Sequence, residues 1–81
     1  MVYAMKVKLT QDDLIKFVDI ASHYDSDIDV NSVGNRRTII DGKSLLGMVN
    51  LDLSKPLEVR MISDDSAEIQ KFQNELRPYI L

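Results

Sequence analysis

Hydrophobic and polar residues alternate with two different periods along the chain. Tyr3, Met5, Val7 and Leu9 alternate with Ala4, Lys6 and Lys8, a period of two that puts the first set on the inner face of a strand. The period then lengthens. Leu14, Phe17, Val18 and Ala21 recur at helical spacing and predict a helix of about three turns ending near Ser22. Thr10 ahead of Gln11-Asp12-Asp13 supplies a hydroxyl cap and an acidic first turn, which the helix dipole favours. Ile15 and Ile20 fall off the apolar stripe and are expected to be only partly covered.

From Asp25 to Val33 the alternation returns, with Ile28, Val30 and Ser32 facing inward and Asp27, Asp29 and Asn31 outward. Gly34-Asn35 tolerates positive φ and leads into β-branched Thr38-Ile39-Ile40, which predicts a hairpin. Asp41-Gly42 ends its second strand. Ser44 is placed to cap a short helix from Leu45 to about Asn50. Gly47 weakens that helix by roughly 1 kcal/mol relative to Ala, so packing of Leu45, Met48 and Val49 is expected to hold it. After the turn Ser54-Lys55-Pro56, Leu57, Val59 and Met61 alternate with Glu58 and Arg60 as a fourth strand. Asp65 with Glu68 opens a last helix with Ile69, Phe72, Leu76 and Ile80 on one face, and Pro78 is expected to stop it near Leu76-Arg77. The order strand, helix, strand, strand, short helix, strand, helix predicts one α+β domain over residues 1–81, with a four-stranded sheet and helices on one face. The expected core is Tyr3, Met5, Val7, Leu14, Val18, Ile28, Val30, Leu57, Val59, Phe72 and Leu76.

Composition narrows the chemistry. With 10 Lys+Arg against 13 Asp+Glu the net charge is −3, and the basic residues are scattered apart from Arg36-Arg37, which weighs against a nucleic-acid partner. There is no Cys, hence no disulfide, thiolate metal site or Cys nucleophile. The longest apolar run, Met1 to Met5, is far short of a membrane span, and a cytoplasmic chain is expected.

Most motif-like stretches have structural explanations. His23, the single histidine, lies four residues after Asp19 at a helix C-terminus, where the dipole favours a cation. Asp25-Ser-Asp27-Ile-Asp29 opens like a calcium loop, but Val30 and Arg36 stand where that loop needs Gly and Glu. Gly42-Lys43-Ser44 ends like a phosphate-binding loop, but Arg37 occupies the position of its first Gly. No catalytic constellation, metal site or cofactor is implied, and an enzyme is not expected. What remains is Asp41-Gly-Lys-Ser-Leu-Leu-Gly-Met-Val49, a capped short helix with an apolar face. Ser44 there is a candidate regulatory phosphosite, and Lys43, Leu45, Leu46 and Met48 are candidate partner-binding residues.

The run from Asp41 to Val49 resembles the serine segment of the histidine-containing phosphocarrier (HPr) family of the sugar phosphotransferase system. Asp27-Ile-Asp-Val30, the acidic opening Ser63-Asp64-Asp65 and the element order extend the similarity over nearly the whole chain. The resemblance implies an HPr-like open-faced β-sandwich, a four-stranded antiparallel sheet with three helices on one face. A ferredoxin-like sandwich, carrying a small-ligand-binding or protein-interaction module, is the competing architecture. Sheet order separates the two, because the resemblance makes the first and last strands neighbours and pairs the last with the second. Family phosphocarriers also carry a Gly-Leu-His-Ala-Arg-Pro-like loop after the first strand, whose histidine takes phosphate from enzyme I. Here Leu9 passes through Thr10 into Gln11-Asp12-Asp13 with no His, Arg or Pro. The resemblance therefore implies a regulatory or adaptor protein that is not competent for histidine phosphotransfer. In Gram-positive members the serine matching Ser44 is phosphorylated by a dedicated kinase, which implies protein partners such as a serine kinase or a carbon-metabolism regulator.

Overall fold

A computed structural model describes all 81 residues. Strand β1 (Val2–Val7) is followed by helix α1 (Asp13–Ser22), strands β2 (Asp27–Ser32) and β3 (Ile40–Asp41), and the single-turn helix α2 (Leu45–Met48). Strand β4 (Leu57–Ile62) and helix α3 (Ser66–Leu76) complete the order, and a 3-10 turn over Arg77–Tyr79 follows α3 without a break. No helix is long and apolar enough to cross a membrane.

The strands form one antiparallel sheet in the order β1-β4-β2-β3. This order rules out the ferredoxin-like alternative, which places the first strand between the third and fourth, because β1 sits at the edge with β4 alone beside it. The alternation seen in the sequence becomes a two-sided sheet. Met5, Val7, Ile28, Val30, Leu57, Val59 and Met61 are buried beneath the helices, against Leu14, Phe17, Ile69, Phe72 and Leu76. Tyr3 and Val18, expected in the core, are half-buried and pack against its margin. Tyr3 stands on an edge strand, where cover ends.

Helix α1 differs from its predicted stripe. Ile20 is buried and Ile15 exposed, because α1 packs against both α2 and α3 and its covered arc is wider than a two-residue stripe. Its start is also built differently. The Thr10 hydroxyl makes no cap; the Thr10 N–H instead donates to Asp13 Oδ2 at 2.8 Å, and Asp12 occupies the cap position without a side-chain bond. At α3 the cap is as expected, with Asp65 Oδ1 accepting from Ala67 N–H (2.9 Å) and Glu68 N–H (3.3 Å). The Glu68 carboxylate does not return the bond but accepts from Ser26 Oγ, tying α3 to the turn before β2.

The β2–β3 hairpin is shorter than the run Thr38-Ile39-Ile40 predicted. Only Ile40 and Asp41 pair, with Val30 and Asp29. Gly34 supplies the positive φ, at 86°. Asn31, expected in solvent, is buried on the face away from the helices. Its Oδ1 accepts from Arg60 Nη1 (2.7 Å) and its Nδ2 donates to the Ser32 carbonyl (2.9 Å). Glu58, in turn, joins Arg60 and Arg36 above it.

Two glycines set how α2 lies. A Cβ at Gly42 would come within 2.8 Å of Ile28 Cγ2, and one at Gly47 within 2.6 Å of Ile40 Cγ2. Gly47 is thus required by approach, even though it weakens the helix that contains it. Gly47→Ala should destabilise the chain by about 1–3 kcal/mol, the cost of overpacking, despite alanine's better helix propensity. Urea denaturation followed by circular dichroism measures this, and an unchanged or raised midpoint contradicts the close contact.

Candidate functional site

The segment from Asp41 to Val49 leaves the sheet over β2. Gly42 N–H donates to the Ile28 carbonyl at 2.7 Å, so the chain turns directly against the strand. Asp41 Oδ1 accepts from Lys43 N–H (2.9 Å), closing a tight turn of the kind short acidic side chains favour. Ser44 has extended backbone (φ −106°, ψ 109°), and its Oγ accepts from Gly47 N–H at 3.1 Å. This is the cap that the sequence predicts, on a helix that ends at Met48 instead of reaching Asn50.

The residues singled out around Ser44 divide between surface and interior. Leu46 is 82% exposed and Val49 54%, and Leu45 is also open to solvent. Met48 is fully buried. It therefore cannot belong to a partner-binding surface, since it is the one side chain of α2 that enters the core. Val49, which sequence reasoning left off the surface, takes its place. Lys43 and Ser44 are half-buried beside this apolar set.

A shallow depression lies where α1 begins, lined by Gln11, Leu14, Val49, Leu51, Asp52 and Leu53. It joins the apolar surface of α2 to the β1–α1 turn. Asp52 accepts from Ser54 Oγ (2.6 Å) and Ser54 N–H (3.0 Å), and these bonds hold its carboxyl below the usual carboxylate range. The rim is polar and carries charge of both signs. Lys8 Nζ is directed at the Leu53 carbonyl, and Asp12 and Asp13 stand at the start of α1. The turn contains no nucleophilic imidazole.

His23 lies at the other end of α1. Its Nδ1 is 2.6 Å from the carbonyl oxygen of Asp19, so the ring closes off the helix end through the backbone and not through the Asp19 carboxylate. Nearby, Tyr24 donates its hydroxyl to Glu75 and meets Phe72 edge-on, with ring centroids 5.2 Å apart. Burial first, and the Glu75 carboxylate second, push the Tyr24 phenol well above its ordinary range. This group locks α1 to α3.

Comparison with known proteins bears on these elements. The family model PTS-HPr, described as the PTS HPr component phosphorylation site, matches residues 14–76. The match therefore begins at Leu14, after the β1–α1 turn, and includes the whole Asp41–Val49 segment. No curated protein matches the chain. Among solved structures, HPr-C-His from Thermoanaerobacter tengcongensis superposes with a TM-score of 0.65 at 24% identity, covering 94% of this chain and 89% of that one. The phosphocarrier protein HPr from Bacillus anthracis str. Ames gives a TM-score of 0.63 at 17% identity, over 93% and 94% of the two chains. These likenesses are in the fold. With most of its length matched by the family model, and with the sheet order and helices described above, the chain belongs to the PTS-HPr family.

Proposed function

We propose that this chain is a regulatory or adaptor member of its family that does not carry phosphate on histidine. The observation behind this reading is the β1–α1 turn. Thr10-Gln11-Asp12-Asp13 offers carboxylates where the family's phosphohistidine loop would stand, and like charge repels an arriving phosphoryl group. His23 is no substitute, since α1 separates it from that turn and its Nδ1 is engaged with the Asp19 carbonyl. The working surface is instead the apolar patch of Leu45, Leu46 and Val49 beside Ser44 and Lys43. Its partners are proteins, such as a serine kinase or a regulator of carbon metabolism, in the cytoplasm.

Ser44 is the regulatory phosphosite in this reading. Phosphorylation adds a charge of about −1.5 to −2 at the edge of the patch, with Lys43 beside it to screen part of that charge. The fold stays the same and the surface changes sign, which recruits a partner bearing Arg or Lys or expels an acidic one.

Three experiments test the proposal. Incubation with enzyme I and phosphoenolpyruvate should leave the intact mass unchanged; an acid-labile phosphohistidine at His23 would sink it. Ser44→Ala should cost about 1 kcal/mol as a lost cap. Ser44→Asp should keep the fold and alter which partners bind, read by calorimetry with purified partners. If Ser44→Asp binds every partner as the parent chain does, and the native protein carries no phosphate at Ser44, only the cap remains.

A further inference from the structure

Strand β1 forms one edge of the sheet, with β4 on a single side. The Met1 carbonyl accepts from Ser63 N–H (3.0 Å), so the backbone of odd-numbered residues turns toward β4. Alternation turns the N–H and C=O groups of Val2, Ala4, Lys6 and Lys8 outward. The end of the chain takes up the lower part of this edge. Leu81 N–H donates to the Lys6 carbonyl (3.0 Å), Lys8 N–H donates to the Tyr79 carbonyl (2.9 Å), and Val7 bridges Ile80. No strand lies beyond Val2 and Ala4.

Protein edges are normally blunted by charge, proline, a bulge or a covering segment. Lys6, Lys8 and the Tyr79–Leu81 segment do this for the lower half. The upper half, Val2-Tyr3-Ala4-Met5, has none of these devices. Beside it, on the face away from the helices, Val2 and its cross-strand partner Ile62 are 56% and 42% exposed. On the other face Tyr3 is only half-covered, because the sheet stops at its strand.

We propose that the Val2–Met5 edge pairs antiparallel with the same edge of a second copy, about a two-fold axis at Tyr3, so that one sheet runs through both. The register follows from the groups available. Pairing Val2 with Ala4 of the second copy joins outward-facing residues only and exchanges both hydrogen bonds of each pair. Sliding by two residues would set Val2 against Lys6, whose carbonyl Leu81 already holds. Sliding further brings the two Lys6 ammonium groups together. Sliding the other way, to Val2 against Val2, leaves Ala4 without a partner; in the register about Tyr3 the two Tyr3 rings become cross-strand neighbours on their half-covered face, and each Val2 lies against the other copy's Ala4 on the opposite face. An interface of this length falls below the ~1,200 Å² of standard complexes, so the association is weak. Each copy carries a net charge of −3, so added salt strengthens it by screening the repulsion.

Sedimentation equilibrium and amide exchange on the full chain, from micromolar to millimolar concentration, test the proposal. The mass should rise toward a dimer, and exchange at Val2 and Ala4 should slow by about tenfold or more at the upper end. Ala4→Pro removes an outward N–H and no β1–β4 ladder bond, a position where sheets accept proline, and should leave a folded monomer. If that variant loses its fold, Val2→Lys supplies the same readout by adding the missing edge charge. Leu46→Ser, on α2, should leave association unchanged. A chain that stays monomeric at millimolar concentration with Val2 and Ala4 exchanging freely overturns the proposal. So does a dimer that survives a folded Ala4→Pro or Val2→Lys, or one that Leu46→Ser abolishes.

Discussion

The close crossing of the chain over the sheet edge at Gly42 and Gly47 is the constraint on which the candidate site depends. At both points the space a Cβ would need is taken by an isoleucine side chain, Ile28 Cγ2 at 2.8 Å and Ile40 Cγ2 at 2.6 Å. Only glycine lets the backbone approach this far without displacing a neighbour. The consequence is local and specific. Ser44 is held in extended backbone at the head of α2, Met48 is driven into the core, and Leu46 and Val49 are left in solvent. A longer or looser crossing would let the short helix turn, and the division between buried and exposed apolar residues would go with it.

Leu9 and Leu14, on either side of the β1–α1 turn, are buried, and the turn between them is exposed except where Asp13 is half-covered. Burial of the flanking leucines anchors the turn whatever its intervening residues are, so its exposed positions can vary without cost to the core. The Asp41–Val49 segment has no such freedom, because its glycines and its capping serine are part of how the layers fit.

Elements whose periodicity reflects a single covering layer were legible in the sequence. The β1 and β4 alternations, the Asp65 cap and the stop at Pro78 all stand in the structure much as their residues imply. The errors fall where a second neighbour intervenes. Ile20 is buried because α1 packs against both α2 and α3, wider cover than a one-stripe pattern allows. Asn31 is buried beside Arg60 of the neighbouring strand β4, which donates to its Oδ1 and pairs in turn with Glu58, a contact between residues 29 apart in sequence that no local pattern shows. Of Leu45, Met48 and Val49, read as the packing that holds the short helix, only Met48 is buried, because a helix of a single turn seated at Gly47 offers the core one side chain. For the site, Ser44 as cap was legible from a local signal, whereas the make-up of the surface around it was not.

A double-mutant cycle between Gly47 and Ile40 tests the seating of α2 most directly. Gly47→Ala is measured in the parent chain and in an Ile40→Ala background by denaturant unfolding, since a contact this close must appear as coupling. The substitution should cost about 1–3 kcal/mol in the parent and little or nothing once the Ile40 methyl groups are gone. An equal cost in both backgrounds would show that Gly47 is not held against Ile40, and the placement of Ser44 and its apolar neighbours would have to be explained another way.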